Sequence, residues 1–179
     1  MGLRKAAAYS RMHVRPYTRK SGVKSKSYIK AIPQNKIVKF RMGNQKDSES
    51  GKHKFIIKYM SEEKVQIRDN ALEASRMWLN KILDEKMPGE YFLDVKVYPH
   101  HIQRENKSAG GMAGADRIST GMTHSFGITI GRAAIVNAGK DVFVITTTSE
   151  KNARDARDAL KAVKTKLPCR GRIIFEKLE

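Results

Sequence analysis

The chain has 179 residues, with 36 Lys and Arg against 18 Asp and Glu, and a formal net charge of +18. Hydrophobic residues make up 40% of it, which is enough for a folded core and excludes a fully disordered chain. No apolar run approaches the length of a membrane-spanning helix, which is about 18 residues or more. The N-terminal residues also lack the apolar stretch of a signal peptide. The composition predicts a basic globular protein with a polyanionic partner.

The positive charge is concentrated at the N-terminus. Residues 1–46 contain 13 Lys and Arg and no acidic residue, because the first acid is Asp47. A segment this cationic gains free energy by neutralising phosphates, so nucleic acid is the expected partner and a solvated disordered arm the alternative. Tyr9, Tyr17 and Tyr28 would either stack on unpaired bases or anchor the arm to its own domain. The cations of this arm predicted to anchor RNA are Arg4, Lys5, Arg11, Arg15, Arg19, Lys20, Lys24 and Lys26.

Strands and one helix are predicted in the first half of the chain. The segments 37–42 and 55–60 have strand composition, and the polar segment 43–52 between them predicts a turn or loop. Within about residues 62–85 apolar residues recur at helical spacing, and Pro88 with the following glycine ends the pattern. The predicted apolar stripe of this helix is Ala71, Leu72, Ser75, Leu79, Ile82 and Leu83.

The start of the first helix and the segments that follow it are predicted less clearly. Either Ser61 or Asp69 could cap the first helix, and the pattern does not choose between them. Residues 91–98 predict a strand that is stopped by Pro99. Residues 100–127 then form a long irregular stretch, and loops of this length in folded domains are usually functional or disordered.

The last third predicts two strands, a helix and a closing strand. Segments 131–136 and 141–148, separated by a turn, have the pattern of a hairpin. Ser149 is the expected cap of a helix from about residue 150 to Leu167, and residues 172–176 supply the last strand. The apolar face of this helix is Ala153, Ala156, Leu160, Val163 and Leu167.

This element order predicts an α+β fold, in which two helices pack on one side of a largely antiparallel sheet. Residues 1–36 are expected to form a basic RNA-anchoring extension, and residues 37–179 a single domain with a long functional loop at about 100–127.

The glycine-rich part of the loop does not predict a nucleotide site. Residues 110–114 contain neither G-x-G-x-x-G nor the Lys-Ser/Thr of a P-loop. Residues 111–114 match the G-x-x-G of a KH loop, but that loop joins two helices, which the neighbouring segments do not predict. Glycine and alanine flanked by cations instead favour close approach to a phosphate backbone, or else a mobile surface loop.

Histidine and cysteine residues offer weak catalytic candidates. His100 and His101 are adjacent on an extended segment and should point in opposite directions, and Asp116 has no evident partner. Cys169 is the only cysteine, which suits a reducing cytoplasm, and five scattered histidines predict no metal site. Cys169 lies in a basic turn with Arg170 and Arg172, which is expected to be exposed or to contact RNA.

Several motifs resemble one ribosomal family. The segments ALEASR at 71–76, YPHHI at 98–102 and RENK at 104–107 are similar to signatures of a universal large-subunit protein. The most specific match is AGADRISTGM at 113–122, followed by SFG at 125–127. On these residues the chain resembles, over nearly its whole length, the L-sixteen family in its archaeal and eukaryotic L-ten-e form, with archaeal details.

The resemblance implies a structural protein that binds large-subunit rRNA near the base of the central protuberance, with an alpha/beta-hammerhead fold. Its long internal loop, about 103–115 here, would point toward the peptidyl-transferase region and help position aminoacyl-tRNA without catalysis. Neighbouring ribosomal proteins are implied partners, in the cytoplasm, with no cofactor, metal, membrane or small-molecule substrate. Many eukaryotic relatives carry a cysteine in this loop, whereas residues 108–110 here are Ser-Ala-Gly, so no thiol role is transferred.

The residues expected near tRNA are Gln103, Arg104, Asn106, Lys107, Ser108, Gly110, Gly111, Gly114 and Arg117, while Arg170 and Arg172 join the arm as rRNA anchors. Two alternatives remain. One is a free-standing RNA-binding regulatory module, and the other is an RNA-processing enzyme that uses His100, His101 or Asp116.

Overall fold

Eight strands divide between two antiparallel sheets in the described part of the chain. The computed structural model describes Ser10, Ile29 and residues 31–105 and 127–178. The predicted α+β class is confirmed, with two long helices packed against the sheets. In chain order the elements are β1 (Arg41–Gly43), α1 (Gln45–Glu49), β2 (Phe55–Ser61), β3 (Val65–Arg68), α2 (Asp69–Lys86), β4 (Tyr91–Val95), β5 (His101–Glu105), β6 (Ile128–Val136), β7 (Asp141–Thr147), α3 (Glu150–Val163), a 3-10 turn (Lys164–Lys166) and β8 (Gly171–Lys177).

The larger sheet has the strand order β1-β4-β7-β2-β8, and the smaller has the order β3-β6-β5. Side chains alternate between the faces of a strand, so one face of β2 presents Ile57 and Tyr59 to the core. Ile57 lies opposite Ile145 and Tyr59 opposite Phe143 on β7, and all four side chains are fully buried. This face packs against α3, and α3 packs against α2.

Helix α3 is the element that the sequence predicts best. The Ser149 side chain accepts a hydrogen bond from the Asn152 backbone N–H at 3.2 Å, which confirms the predicted N-cap. Ala153 and Ala156 are fully buried, as are Leu160 and Val163 one and two turns further along the same face. Methyl side chains at the two alanines allow α3 to lie close to the sheet.

Enlarging one of these alanines should destabilise the protein. Ala156→Leu adds three carbons to a fully buried site and should lower the free energy of unfolding by about 1–3 kcal/mol. Ala162→Leu is the matched control, because Ala162 lies on the exposed face of the same helix and its change should stay within about 0.5 kcal/mol. Urea unfolding followed by circular dichroism measures both; equal effects would contradict the close packing of α3.

The first long helix occupies the later part of the range in which it is predicted. The prediction places a helix within about residues 62–85; residues 65–68 of that range form β3, and the helix runs from Asp69 to Lys86. Val65 and Ile67 alternate into the core and hold this segment in a strand paired with β6. The helix itself buries the predicted positions Leu72, Ser75, Leu79 and Leu83.

Neither predicted cap is correct for α2. The N-cap position is Arg68, whose side chain makes no capping hydrogen bond. Asp69 is the first helical residue, and its carboxylate accepts hydrogen bonds from the backbone N–H of Lys36 at 3.1 Å and of Asn70 at 2.8 Å. Asp69 therefore fastens the segment before β1 to the helix start.

None of the described helices combines the length and apolarity needed to cross a membrane.

The predicted hairpin of 131–136 with 141–148 is wrong. Strand β6 pairs with β3 and β5 in the smaller sheet, whereas β7 pairs with β2 and β4 in the larger one. The turn between β6 and β7 bonds to the end of β2: the Gly139 N–H donates to Ser61 O at 2.7 Å, and the Ser61 N–H donates to Lys140 O at 2.9 Å. Both chain segments thus pass from one sheet to the other at this point.

Smaller differences follow from where strand partners are available. The strand predicted at 91–98 shortens to β4, because residues 96–100 run between the two sheets, and the strand predicted at 37–42 is reduced to β1. The expected loop at 43–52 contains the short helix α1, and the irregular stretch 100–127 begins with β5. The strands predicted at 55–60 and 172–176 are confirmed as β2 and β8. The domain boundary at residues 36 and 37 stays a prediction.

Candidate nucleic-acid interface

Most carboxylates of the described residues are neutralised locally. Nine ion pairs join them to neighbouring cations. In one of these, the Arg76 guanidinium makes two contacts with Glu73, at 2.8 and 2.5 Å, so this arginine is not free for a ligand. The exposed cations that form no ion pair among the described residues are Lys36, Lys39, Arg41, Lys46, Lys54, Lys64, Lys140, Lys151, Arg157, Lys164, Lys166, Arg172 and Lys177. These ammonium and guanidinium groups are available to phosphates.

The face of the larger sheet opposite the helices combines cations with half-exposed apolar side chains. Arg41 on β1 and Arg172 on β8 lie at its two edges, because both alternate with inward-facing residues. Ile56, Phe92 and Val144 lie between them and are only partly buried. Helix α1 contacts this face through the Ser48 hydroxyl, which lies 3.1 Å from that of Thr146. Such a surface suits a partner with a charged backbone.

The predicted anchors Arg170 and Arg172 both lie at the surface. Arg170 has a side chain that is 86% exposed and holds Glu63 only weakly, at 3.5 Å from Nε to Oε1. Cys169, which precedes Arg170, is buried, and this burial raises the pKa of its thiol. The expectation of an exposed turn is correct for Arg170 and wrong for Cys169, whose carbonyl oxygen accepts a hydrogen bond from the buried Tyr59 hydroxyl at 3.5 Å.

Strands β5 and β6 form the stem of the long loop. Glu105 lies opposite Ile128, so the described residues on either side of segment 106–126 lie close together in the smaller sheet. The Arg104 guanidinium donates to Gly127 O at 2.8 Å across the stem. Gln103 is buried, and its amide donates to Gln66 Oε1 at 3.4 Å. The contacts of Gln103 and Arg104 therefore support the base of the loop.

The remaining predicted site residues cannot be placed in the same way. The loop residues Asn106, Lys107, Ser108, Gly110, Gly111, Gly114 and Arg117 lie outside the described residues, as do the arm residues Arg4, Lys5, Arg11, Arg15, Arg19, Lys20, Lys24 and Lys26. Their assignment to tRNA and rRNA stays a prediction.

An aromatic stack that the sequence reasoning missed lies between the two sheets. The ring of Phe40 stacks on Tyr98 with centroids 5.3 Å apart, and Tyr98 contacts the His100 ring at 4.4 Å. An Arg132 nitrogen lies 3.5 Å from the Tyr98 hydroxyl. Tyr98 and His100 are two residues apart on an extended segment, and this spacing predicts that their rings lie on the same side of the chain. Phe40 is distant in sequence, so its contact with Tyr98 could not have been predicted. Exposed rings beside a cation suit stacking on unpaired bases.

The histidines do not form a catalytic pair. His100 is exposed on the stack, while His101 is buried, and burial lowers the pKa of its imidazole. The prediction that they point in opposite directions is confirmed. Asp116 lies outside the described residues. Over residues 31–105 and 127–178, no three His, Cys, Asp or Glu side chains are grouped so as to hold a metal ion.

Known proteins resemble this chain over its whole length. The sequence profile of the ribosomal protein L16p/L10e family matches residues 13–174. A large ribosomal subunit protein uL16 from Staphylothermus marinus is 41% identical, covering 100% of this chain and 97% of the relative. The uL16 proteins of Thermofilum pendens and Methanococcus maripaludis are each 42% identical, covering 100% and 99% of this chain and 100% and 96% of their own lengths. All three organisms are archaea, which agrees with the archaeal details of the motifs. On this match the chain belongs to the ribosomal protein L16p/L10e family.

Proposed function

We propose that this protein is a structural, non-enzymatic constituent of the large ribosomal subunit that binds rRNA near the central protuberance and helps position aminoacyl-tRNA. The family match over residues 13–174 carries the first part, with rRNA and neighbouring ribosomal proteins as partners. The placement in the subunit and the role toward tRNA go further, and they rest on the resemblance together with the long loop.

The described surface supports an electrostatic mechanism. Local ion pairs neutralise acids that would repel RNA, and many exposed cations remain unpaired. Lysine and arginine contacts with phosphates fix orientation and affinity without reading sequence. The α+β domain then holds the loop in position, because the paired strands β5 and β6 flank it on both sides.

Shortening the loop tests the role toward tRNA. Deleting residues 106–114 leaves the Glu105–Ile128 pair intact, so subunit association should change by less than about twofold. Accommodation of aminoacyl-tRNA should slow by about tenfold or more, because misplaced positioning groups are costly in rate. Reconstituted subunits in a rapid-mixing assay with fluorescent tRNA measure the rate.

The control for this experiment keeps the length of the loop and replaces residues 106–114 by glycine and serine. If the side chains of the loop contribute, the control should also slow the accommodation of aminoacyl-tRNA. If only the length of the loop matters, the rate should be close to that of the wild type. An assembly defect alone, with normal accommodation in the subunits that form, would contradict the proposed role.

A further inference from the structure

Strand β8 lies at the edge of the larger sheet. The order β1-β4-β7-β2-β8 leaves one side of β8 without a partner strand among the described residues. Its seven residues, Gly171–Lys177, pair with β2 in an unbroken register, whereas the pairing of β2 with β7 shifts between Tyr59 and Met60. Proline and bulges are devices that protect a sheet edge from further pairing, and β8 has neither. This edge is therefore a continuous template for one more strand.

The hydrogen bonds at the two ends of β8 show which of its backbone groups point outward. The Leu178 N–H donates to Lys54 O at 2.7 Å, and the Glu62 N–H donates to Arg170 O at 3.0 Å. Alternate residues of an antiparallel strand turn both N–H and C=O toward the same partner, so the even-numbered residues of β8 face β2. The residues whose N–H and C=O point away from β2 are Gly171, Ile173, Phe175 and Lys177.

Apolar side chains follow this edge on both faces of the sheet. Phe175 is 46% exposed, and its ring centroid lies 5.8 Å from that of Phe55. Ile173 shares the face of Phe175, and Ile174 lies on the other face; both are half-buried. An added strand would cover these three side chains, and an exposed aromatic ring is a typical anchor of a protein interface.

The charges of β8 favour an acidic partner. Arg172 and Lys177 are exposed and form no ion pair among the described residues, whereas Glu176 is held by Lys58 at 2.5 Å. Residues 1–46 of the chain contain no acid, and a second copy carries +18, so like charges disfavour both as the added strand. Phosphate oxygens are acceptors only and would leave the outward C=O groups unpaired, whereas a polypeptide supplies donors and acceptors in alternation.

We propose that the free edge of β8 binds an extended, acidic segment of a neighbouring large-subunit protein as an added strand of the larger sheet. Main-chain hydrogen bonds to the outward groups hold the segment, an apolar side chain covers Phe175, and carboxylates meet Arg172 and Lys177. The proposal rests on the proposed function, because the large subunit supplies the neighbouring protein. It assigns a protein-binding surface to the domain, separate from the contacts with RNA.

Photo-cross-linking in purified large subunits identifies what covers the edge. Phe175→p-benzoylphenylalanine should give one cross-linked product that is degraded by protease and resists RNase. Mass spectrometry should map the product to another subunit protein, with an acidic residue within about two positions of the cross-link. The same substitution at Met77, which is exposed on α2, should not give that product. Cross-links to rRNA or to a second copy alone, or none at all, would overturn the proposal.

Proline at an outward position tests the main-chain pairing. Lys177→Pro leaves the bonds between β8 and β2 intact and removes one N–H from the free edge. In the photoreactive background it should lower the cross-link yield by about tenfold. Lys177→Gln keeps the N–H and removes only the charge, so its yield should fall by about threefold at most. Equal incorporation into subunits checks that both variants fold, and equal yields would overturn the pairing as a strand.

Peptide binding to the free full-length protein tests the edge without the ribosome. The probe is a fluorescein-labelled peptide of about nine residues, with valine opposite Ile173 and Phe175, glutamate opposite Arg172 and Lys177, and threonine elsewhere. Fluorescence anisotropy should show binding about tenfold tighter than that of a scrambled peptide of the same composition.

A pair of charge-matched variants completes the peptide experiment. Arg172→Gln combined with Lys177→Gln should weaken binding about fivefold at low salt. Lys39→Gln combined with Lys46→Gln changes the charge equally near β1, at the opposite edge of the sheet, and should cost about twofold at most.

Equal binding of the two peptides, or equal losses in the two double variants, would overturn the proposal, because binding would then reflect net charge. Failure of the protein to enter large subunits would instead defeat the proposed function, and the peptide titration would still report on the edge of β8.

Discussion

Deletion of residues 1–28 is expected to lower the affinity for large-subunit rRNA by about a thousandfold or more at physiological salt. The deletion removes eight of the 36 Lys and Arg residues and retains Ile29, which is buried. Each phosphate released from a contact lowers the salt slope by about 0.7–0.9, so the plot of log affinity against log salt should flatten markedly. Fluorescence anisotropy over a salt series measures both quantities, and circular dichroism checks that the domain stays folded.

A full-length variant separates charge from chain length in this experiment. Replacing the eight cations of the arm by glutamine keeps Tyr9 and Tyr17 in place. If phosphate contacts dominate, this variant should behave like the deletion; if the tyrosines carry the binding by stacking, it should retain most of its affinity. An unchanged salt slope in the deletion variant would refute the arm as the rRNA anchor.

Truncation of Leu79 to alanine should produce the largest loss of stability. Leu79 is fully buried on α2, and removing its isobutyl group should lower the free energy of unfolding by about 2–5 kcal/mol. Met77→Ala is the matched control on the same helix, because Met77 is 59% exposed and its loss should cost at most about 0.5 kcal/mol. Chemical denaturation with constant m values for both variants measures the difference. Similar losses would mean that the core face of α2 is misassigned.

Helix α3 shows what the sequence could predict. Its cap is local, its apolar spacing is regular, and its small residues define the buried face, so Ser149 and the stripe from Ala153 to Val163 were all recoverable. Strand β3 shows the opposite case. It has four residues and passes into α2 without an intervening turn, so the helical pattern that follows conceals it.

The partner of each strand was much harder to predict than its existence. Strands β6 and β7 are joined by a short turn, and neighbouring strands usually pair, which favoured a hairpin. The backbone groups of that turn are instead bonded to Ser61, about 80 residues away in sequence, and this contact directs β7 into the other sheet. A hydrogen bond over such a separation leaves no local pattern.

The same distinction applies to the candidate site. Charge and the AGADRISTGM motif at 113–122 indicated the polyanion and the family, because both are properties of the sequence itself. The stack of Phe40 on Tyr98 required the fold, since its two rings come from distant segments. The fold was also needed to show that Gln103, a residue expected near tRNA, is buried in the loop stem.

Cosedimentation with ribosomal subunits shows whether this protein is a constituent of the large subunit. The full-length protein, labelled at its natural level of expression, is followed through a sucrose gradient after a moderate-salt wash of separated subunits. A structural constituent bound by many phosphate contacts and by neighbouring proteins should remain with the large subunit in about one copy per particle, and be absent from the small subunit. Recovery in the free fraction, or in sub-stoichiometric amounts on either subunit, would contradict a structural role in the large subunit and favour a free-standing RNA-binding module.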